Sequence, residues 1–308
     1  MPDFNTTVQG FFALFAVIAG SGVFLAYYFQ CSLIYLSRFP EGSRTAVDKP
    51  SKYNLPYEEV WLRSSDGVRL HAYLITRATP GETAEAPTLF YCQANAGNIG
   101  HRLPIAENIY RRCRCNVFML SYRGYGLSEG TANEKGIKLD TQASGADGRA
   151  AALSFIRHHD LLKDTRIILY GQSIGGAVAL DLAAHNEEQI HALILENTFL
   201  SVPKLIPHLM PFLSSVAFLC HQQWQSEETI RRLRRVPVLF LASGQDELVP
   251  PAHMSMLYDL CNTTGGSMWQ EFPHGTHNDA CAQPGYFEAI EQFWRQHVAS
   301  KPTASLSQ

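Results

Sequence analysis

From Thr88 onward the chain alternates short apolar runs rich in β-formers with stretches of helix length, and no other feature of the sequence limits its fold so strongly. Thr88-Leu-Phe-Tyr-Cys precedes a helical stretch from Ile99 to Cys113. Asn116-Val-Phe-Met-Leu-Ser precedes Lys135 to His159, and Arg166-Ile-Ile-Leu-Tyr precedes Ile174 to His185. His191-Ala-Leu-Ile-Leu, Val236-Pro-Val-Leu-Phe-Leu-Ala, a helix from Pro251 to Leu260, a strand near Met268 to Phe272 and an amphipathic helix from Tyr286 to Val298 continue the pattern. Strands apolar at successive positions must be covered on both faces, and helix-length crossovers join parallel neighbours. The pattern therefore predicts the α/β class, with a mostly parallel, doubly wound, eight-stranded sheet and helices on both faces. Upstream, Glu58 to Arg63 and Val68 to Arg77 flank the turn signal Ser64-Ser65-Asp66-Gly67 and read as an antiparallel hairpin, followed by a polar loop rich in Ala, Pro and Glu.

No charged residue occurs from Phe4 to Ser37, and Gly10 to Phe29 is dense in Phe, Leu, Val, Ile, Ala and Tyr. About 20 apolar residues at 1.5 Å rise cover the roughly 30 Å hydrocarbon core, so residues 10–29 read as one transmembrane helix with the lipid bilayer as partner. On this reading Tyr27, Tyr28 and Tyr35 form an aromatic belt at the headgroups, and Arg38 is the first cation beyond it. A cleaved signal peptide would want a basic start, whereas this chain opens with Asp3 and no Lys or Arg, which favours an uncleaved signal-anchor. The expected location is a single-pass position in the endoplasmic reticulum or plasma membrane. Its side stays open: Arg38, Arg44, Lys49 and Lys52 favour a cytosolic domain, whereas the sequons at Asn5 and Asn262 would serve a lumenal one.

Gly171-Gln172-Ser173-Ile174-Gly175 sits between the strand-like run Ile167 to Tyr170 and the helical run Ala177 to Ala184. A nucleophile on a sharp strand-to-helix turn needs small flanking residues, which Gly171 and Gly175 supply, and Gly171, Gln172 and Gly175 together make the elbow that exposes Ser173. The helix N-terminus behind it supplies N–H groups where negative charge develops. A serine hydroxyl is a weak nucleophile and needs an imidazole to take its proton and a carboxylate to orient that imidazole. Asp246 follows the strand Val236 to Ala242 and His277 follows the last strand, giving the order nucleophile, acid, base. Glu247 and His274 are neighbours of the same chemistry and remain alternatives, while Asp279 stands too near His277 to orient it. An oxyanion hole would draw one main-chain donor from Ile174 and one from the small-residue loop Gln93 to Asn98, with Asn95 preferred and Ala94 next.

A net charge of -3 with no basic run among aromatics leaves no footprint for nucleic acid. Seven cysteines in 308 residues are too sparse for a disulfide scaffold, and Cys113-x-Cys115 has no second Cys/His pair to complete a zinc site, so neither metal nor cofactor is implied. The segment Leu200 to Arg235 is longer than an ordinary crossover and apolar in its first half. A helical flap over a lipophilic pocket and an amphipathic helix packed on the core both explain it.

The runs Gln93 to Pro104, Tyr122-Arg123-Gly124-Tyr125-Gly126, Gly171 to Gly176 and Gly275-Thr276-His277-Asn278-Asp279 together resemble the α/β-hydrolase superfamily. More narrowly they look like the fungal bud-emergence proteins and their animal relatives, which are single-span membrane α/β-hydrolases. Relatives often carry His-Gly where this chain has Gln93-Ala94. The resemblance implies a serine hydrolase of an acyl ester or acyl thioester, on a lipid or an acylated protein, some relatives removing acyl chains from proteins. A catalytically idle scaffold in cell polarity or membrane trafficking is the competing expectation, because a fold does not entail activity. The expected organisation is an anchor over 1–38, a juxtamembrane linker over 39–56, the α/β-hydrolase domain over 57–299 with the flap candidate at 200–235, and a disordered tail over 300–308. The glycines of Tyr122 to Gly126 read as turn chemistry near the cleft.

Overall fold

The computed structural model describes residues 4–142 and 152–299. The expected tail over 300–308 lies outside the described residues. The first element is a helix, α1 (Phe4–Ile34), of 31 residues. Over Phe12–Ile34 it is long and apolar enough to cross a membrane, with a mean hydropathy of 1.9.

Strands β1 (Tyr57–Arg63) and β2 (Arg69–Ile75) form the predicted hairpin, closed by a turn in which Gly67 N–H donates to Ser64 O at 2.8 Å. The polar loop that follows contains a short helix, α2 (Pro80–Glu85). Its signal was present: Thr79 caps the Glu82 amide, the Glu82 carboxylate reaches back to Thr79 N–H, and Pro80 presets the first helical φ. The chain then runs through β3 (Thr88–Cys92), α3 (Leu103–Cys113), β4 (Asn116–Leu120), α4 (Glu134–Thr141), α5 (Ala152–His158), β5 (Ile167–Gln172), α6 (Ile174–His185) and β6 (Ile190–Glu196). It closes with α7 (Val202–Leu209), a 3-10 stretch Pro211–Leu219, α8 (Ser226–Ile230), β7 (Val238–Ser243), α9 (Pro251–Leu260), β8 (Ser267–Phe272) and α10 (Tyr286–Trp294), which runs on into a π turn, Arg295–Ala299. The single helix expected over Lys135 to His159 is two helices, α4 and α5, and the residues between them lie outside the described ones.

The eight strands lie in the order β1-β2-β4-β3-β5-β6-β7-β8. The pairs β1–β2 and β2–β4 are antiparallel, and every pair from β4–β3 to β7–β8 is parallel. Successive side chains on a strand point to opposite faces, so each parallel strand feeds two cores. Phe90, Phe118, Leu169, Leu195 and Phe240 lie in one; Tyr91, Met119, Tyr170, Ile194 and Leu241 lie in the other. All ten are fully buried, and each such aliphatic or Phe side chain contributes about 1.5–3 kcal/mol by leaving water. That is the physical content of an unbroken apolar strand, and it puts the parallel strand ends, where β3 and β5 run into their loops, side by side.

Arg123, in the turn after β4, ties this end of the sheet together. Its main-chain N–H and its guanidinium donate to Asp140 on α4 at 2.8–3.0 Å, and its guanidinium also meets Asp66 in the hairpin turn at 2.7 and 3.0 Å. Residues 39–56 fold back along the loop after β3: Gly97 N–H donates to Phe39 O at 2.7 Å, and the Asn98 amide donates to Ser43 O and Ala46 O at 2.9 Å.

The aromatic-belt expectation needs one correction. Tyr35 is 4 % exposed, donating to Gln222 Oε1 at 2.8 Å and accepting from Trp224 Nε1 at 3.0 Å. An amphipathic ring near a helix end suits a headgroup contact, but this hydroxyl finds two partners inside the protein. Tyr27 and Tyr28 remain largely exposed.

Candidate active site

Ser173 stands between β5 and the first turn of α6 with φ 55° and ψ -124°. Such a backbone costs on the order of 1–3 kcal/mol for a residue with a Cβ and persists only where its surroundings fix it. Here they do. A Cβ on Gly171 would fall 2.1 Å from Gly175 O, and one on Gly175 would fall 2.3 Å from Cys92 O and 2.6 Å from Gln93 O. The elbow thus packs against its own helix and against the loop after β3 at distances only glycine permits. Ser173 N–H donates to Glu196 O at 2.9 Å, and Thr198 Oγ1 donates to Ser173 O at 2.7 Å, which pins the turn to the end of β6.

Asp246 follows β7 and His277 follows β8, as the order in the chain requires. Asp246 Oδ2 lies 2.7 Å from His277 Nδ1, and both residues are buried. The other carboxylate oxygen accepts main-chain N–H bonds from Leu248 at 2.9 Å and Val249 at 2.7 Å. Glu247, the alternative acid, is exposed; its carboxylate accepts the main-chain N–H of His277 at 3.1 Å. His274, the alternative base, is exposed, and Asp279 caps the turn by accepting from Thr276 N–H at 2.5 Å. Of the paired alternatives, the fold joins Asp246 to His277. Burial pushes the Cys92 thiol up to about 12, so the sulfur at the end of β3 stays protonated near neutral pH.

Ser173, Ile174 and His277 line one cavity together with Ala94 and Asn95. The loop after β3, from which one oxyanion donor was expected, therefore stands beside the elbow. The Asn95 side chain has a separate task that sequence reasoning missed. Its Nδ2 donates to Ile34 O at 2.6 Å, and its Oδ1 accepts from Leu36 N–H at 3.0 Å and Tyr125 O–H at 2.7 Å. It thereby joins the end of α1 to the loop flanking Ser173 and to the turn Tyr122 to Gly126.

Two further residues hold the histidine loop. Gln172 Nε2 donates to His277 O at 3.0 Å; Asn197 donates to the same oxygen at 3.3 Å while its Oδ1 accepts from Ser243 N–H at 2.8 Å. Asn197 has φ 45°, a left-handed backbone that Asn tolerates better than most residues. A lone Asn directly after a buried strand was the available signal. Below the site lies Glu196, fully buried, accepting from the Tyr170 and Tyr286 hydroxyls. Burial holds its carboxyl above the ordinary value of 4.5.

A family profile for the alpha/beta hydrolase fold matches residues 87–216. Protein bem46 of Schizosaccharomyces pombe is 43 % identical over 279 residues, covering 90 % of each chain. An uncharacterised membrane protein of Saccharomyces cerevisiae is 40 % identical over 268 residues, covering 87 % of this chain and 89 % of that one. Among solved structures, an esterase of Pyrococcus furiosus shares the fold with a TM-score of 0.65 at 15 % identity, over 82 % of this chain and 95 % of the esterase.

Proposed function

The chain belongs to the α/β-hydrolase family, in the group of protein bem46, and from that premise we propose that it is a membrane-anchored serine hydrolase that cleaves an ester or thioester through an acyl-enzyme on Ser173. The observation that carries the proposal is the buried Asp246–His277 pair, 2.7 Å apart, opening on the same cavity as a strained serine.

In this mechanism Ser173 Oγ attacks the substrate carbonyl carbon, a C–O bond forms, and the hydroxyl proton passes to His277 Nε2. Asp246 holds the imidazole with Nδ1 protonated and stabilises the imidazolium that results. The main-chain amides of Ile174 and Asn95 receive the oxyanion, at a typical worth of roughly 3–4 kcal/mol for a single donor. Collapse of the tetrahedral centre breaks the bond to the leaving alkoxide or thiolate, which takes the proton from His277. Water then repeats the sequence on the acyl-enzyme and releases the acid. The anchor is α1, supported by its apolar stretch Phe12–Ile34 and by the naming of the yeast relative as a membrane protein.

The test is covalent labelling by a fluorophosphonate of the wild type, Ser173→Ala and His277→Ala in membranes. Labelling should vanish in Ser173→Ala and slow by about a hundredfold or more in His277→Ala. A folded wild type that takes no label refutes the proposal.

A further inference from the structure

We propose that the anchor helix is itself one wall of the acyl pocket, and that the pocket receives the long acyl chain of a substrate resident in the bilayer; this rests on the serine-hydrolase reading above. The cavity that contains Ser173 and His277 encloses about 510 Å³, within the usual range for a small-molecule site. One side is built from α1, with Val23, Ala26 and Ile34. Another part of the lining is built from α7 and the 3-10 stretch, with Leu205, Leu209 and Leu213. Arg102, near the serine end, is the one Lys, Arg, Asp or Glu among the described lining residues. Along α1 the wall from Val23 to Ile34 runs about 16 Å at 1.5 Å per residue, so the pocket is elongated away from the serine. An apolar slot of that shape, closed at one end by a nucleophile, fits an alkyl tail and rejects a polar acyl group.

The α1 wall is fixed to the domain. Gln30 Oε1 accepts from His221 N–H at 2.7 Å, Tyr35 bonds Gln222 and Trp224, and Asn95 ties Ile34 and Leu36 to the loop beside the elbow. A helix serving only as a tether needs none of these bonds. The outer surfaces of both walls are apolar: on α1 Phe24 is 64 % exposed and Tyr28 70 %, and on the 3-10 stretch Phe212 is 80 % and Phe218 77 %. Large exposed apolar groups on the second wall, continuous with a membrane-crossing helix on the first, place the slot where lipid tails are its surroundings. A tail already in the bilayer then enters without crossing water.

The full-length chain, reconstituted in phosphatidylcholine vesicles, is assayed with 4-nitrophenyl palmitate and 4-nitrophenyl butyrate and labelled with a fluorophosphonate. The wild type should prefer palmitate. Ala26→Trp, which fills the slot from the α1 side, should lower the palmitate-to-butyrate ratio by about tenfold, the effect of two displaced methylenes. Leu25→Trp, the same bulk on a lipid-facing position, should keep the wild-type ratio. A labelled wild type without palmitate preference, or an Ala26→Trp ratio equal to the wild type's, overturns the inference and leaves the serine-hydrolase reading standing. A folded wild type that neither labels nor cleaves either ester overturns both. A monoacylglycerol and a palmitoyl-thioester peptide in the same vesicles identify the carrier: turnover of either supports the inference, and turnover of neither by a labelled enzyme overturns it.

Discussion

Asp246→Asn is the sharpest probe of the proposed chemistry, because the structure dictates how the new amide must lie. The Oδ1 position of Asp246 faces two main-chain N–H groups, those of Leu248 and Val249, while Oδ2 faces His277 Nδ1 at 2.7 Å. An asparagine amide nitrogen cannot face two donors, so its oxygen takes the Oδ1 place and its NH₂ turns to the histidine. Nδ1 must then accept, the imidazole proton moves to Nε2, and the nitrogen that should take the proton from Ser173 is already protonated. In a serine-protease triad the same exchange costs about ten-thousandfold in kcat, which corresponds to roughly 5 kcal/mol of transition-state stabilisation. The volume is unchanged and both main-chain donors keep their acceptor, so the fold should persist. The assay is the rate of fluorophosphonate labelling and of 4-nitrophenyl butyrate hydrolysis in membranes, beside the urea midpoint. Glu247→Gln serves as the internal comparison, since a Gln oxygen can still accept from His277 N–H. If Asp246→Asn stays within about tenfold of the wild type, or Glu247→Gln is the slower of the two, the orientation argument is wrong.

Two further outcomes follow from buried charge. Arg123→Met leaves the fully buried Asp140 carboxylate without its cation and should cost about 3–5 kcal/mol, read by urea titration of the detergent-solubilised chain; a loss below about 1 kcal/mol would contradict the network's role. Glu196, raised by burial, keeps its proton in the folded state above the pH at which the unfolded chain releases it near 4.5. Between that pH and the folded titration the native state binds more protons, so stability falls as pH rises; Glu196→Gln should flatten the melting temperature against pH over this window, and an unchanged slope would refute the assignment.

Much of the site could be read from the chain because its demands are local. The elbow needs Gly171 and Gly175 within two residues of Ser173, since a Cβ at either position meets backbone at 2.1–2.3 Å. A tight turn of this kind leaves a five-residue mark. The helix α2 is legible only in its Thr79–Glu82 capping box, because an Ala/Pro/Glu-rich composition otherwise suits a loop. Asn197 carries no such mark, and the position of Gln172 inside it does not disclose its second contact, as both work through a main-chain oxygen 80 and 105 residues away.

The sequence by itself determined the parallel α/β architecture, the glycine-framed turn at Ser173, the order in which Ser173, Asp246 and His277 follow their strands, and an apolar helix long enough to cross a bilayer. Each of these is written in periodicity or in the steric needs of adjacent residues. Only the tertiary structure decided that Asp246 rather than Glu247 meets His277, because neighbours in a turn point apart and the partner arrives from another strand. It alone placed Asn95 against the end of α1, Tyr35 against Gln222 and the helix along the cavity of Ser173. Contacts between residues 61 and 187 positions apart leave no trace in local pattern, since any side chain of suitable polarity could have made them.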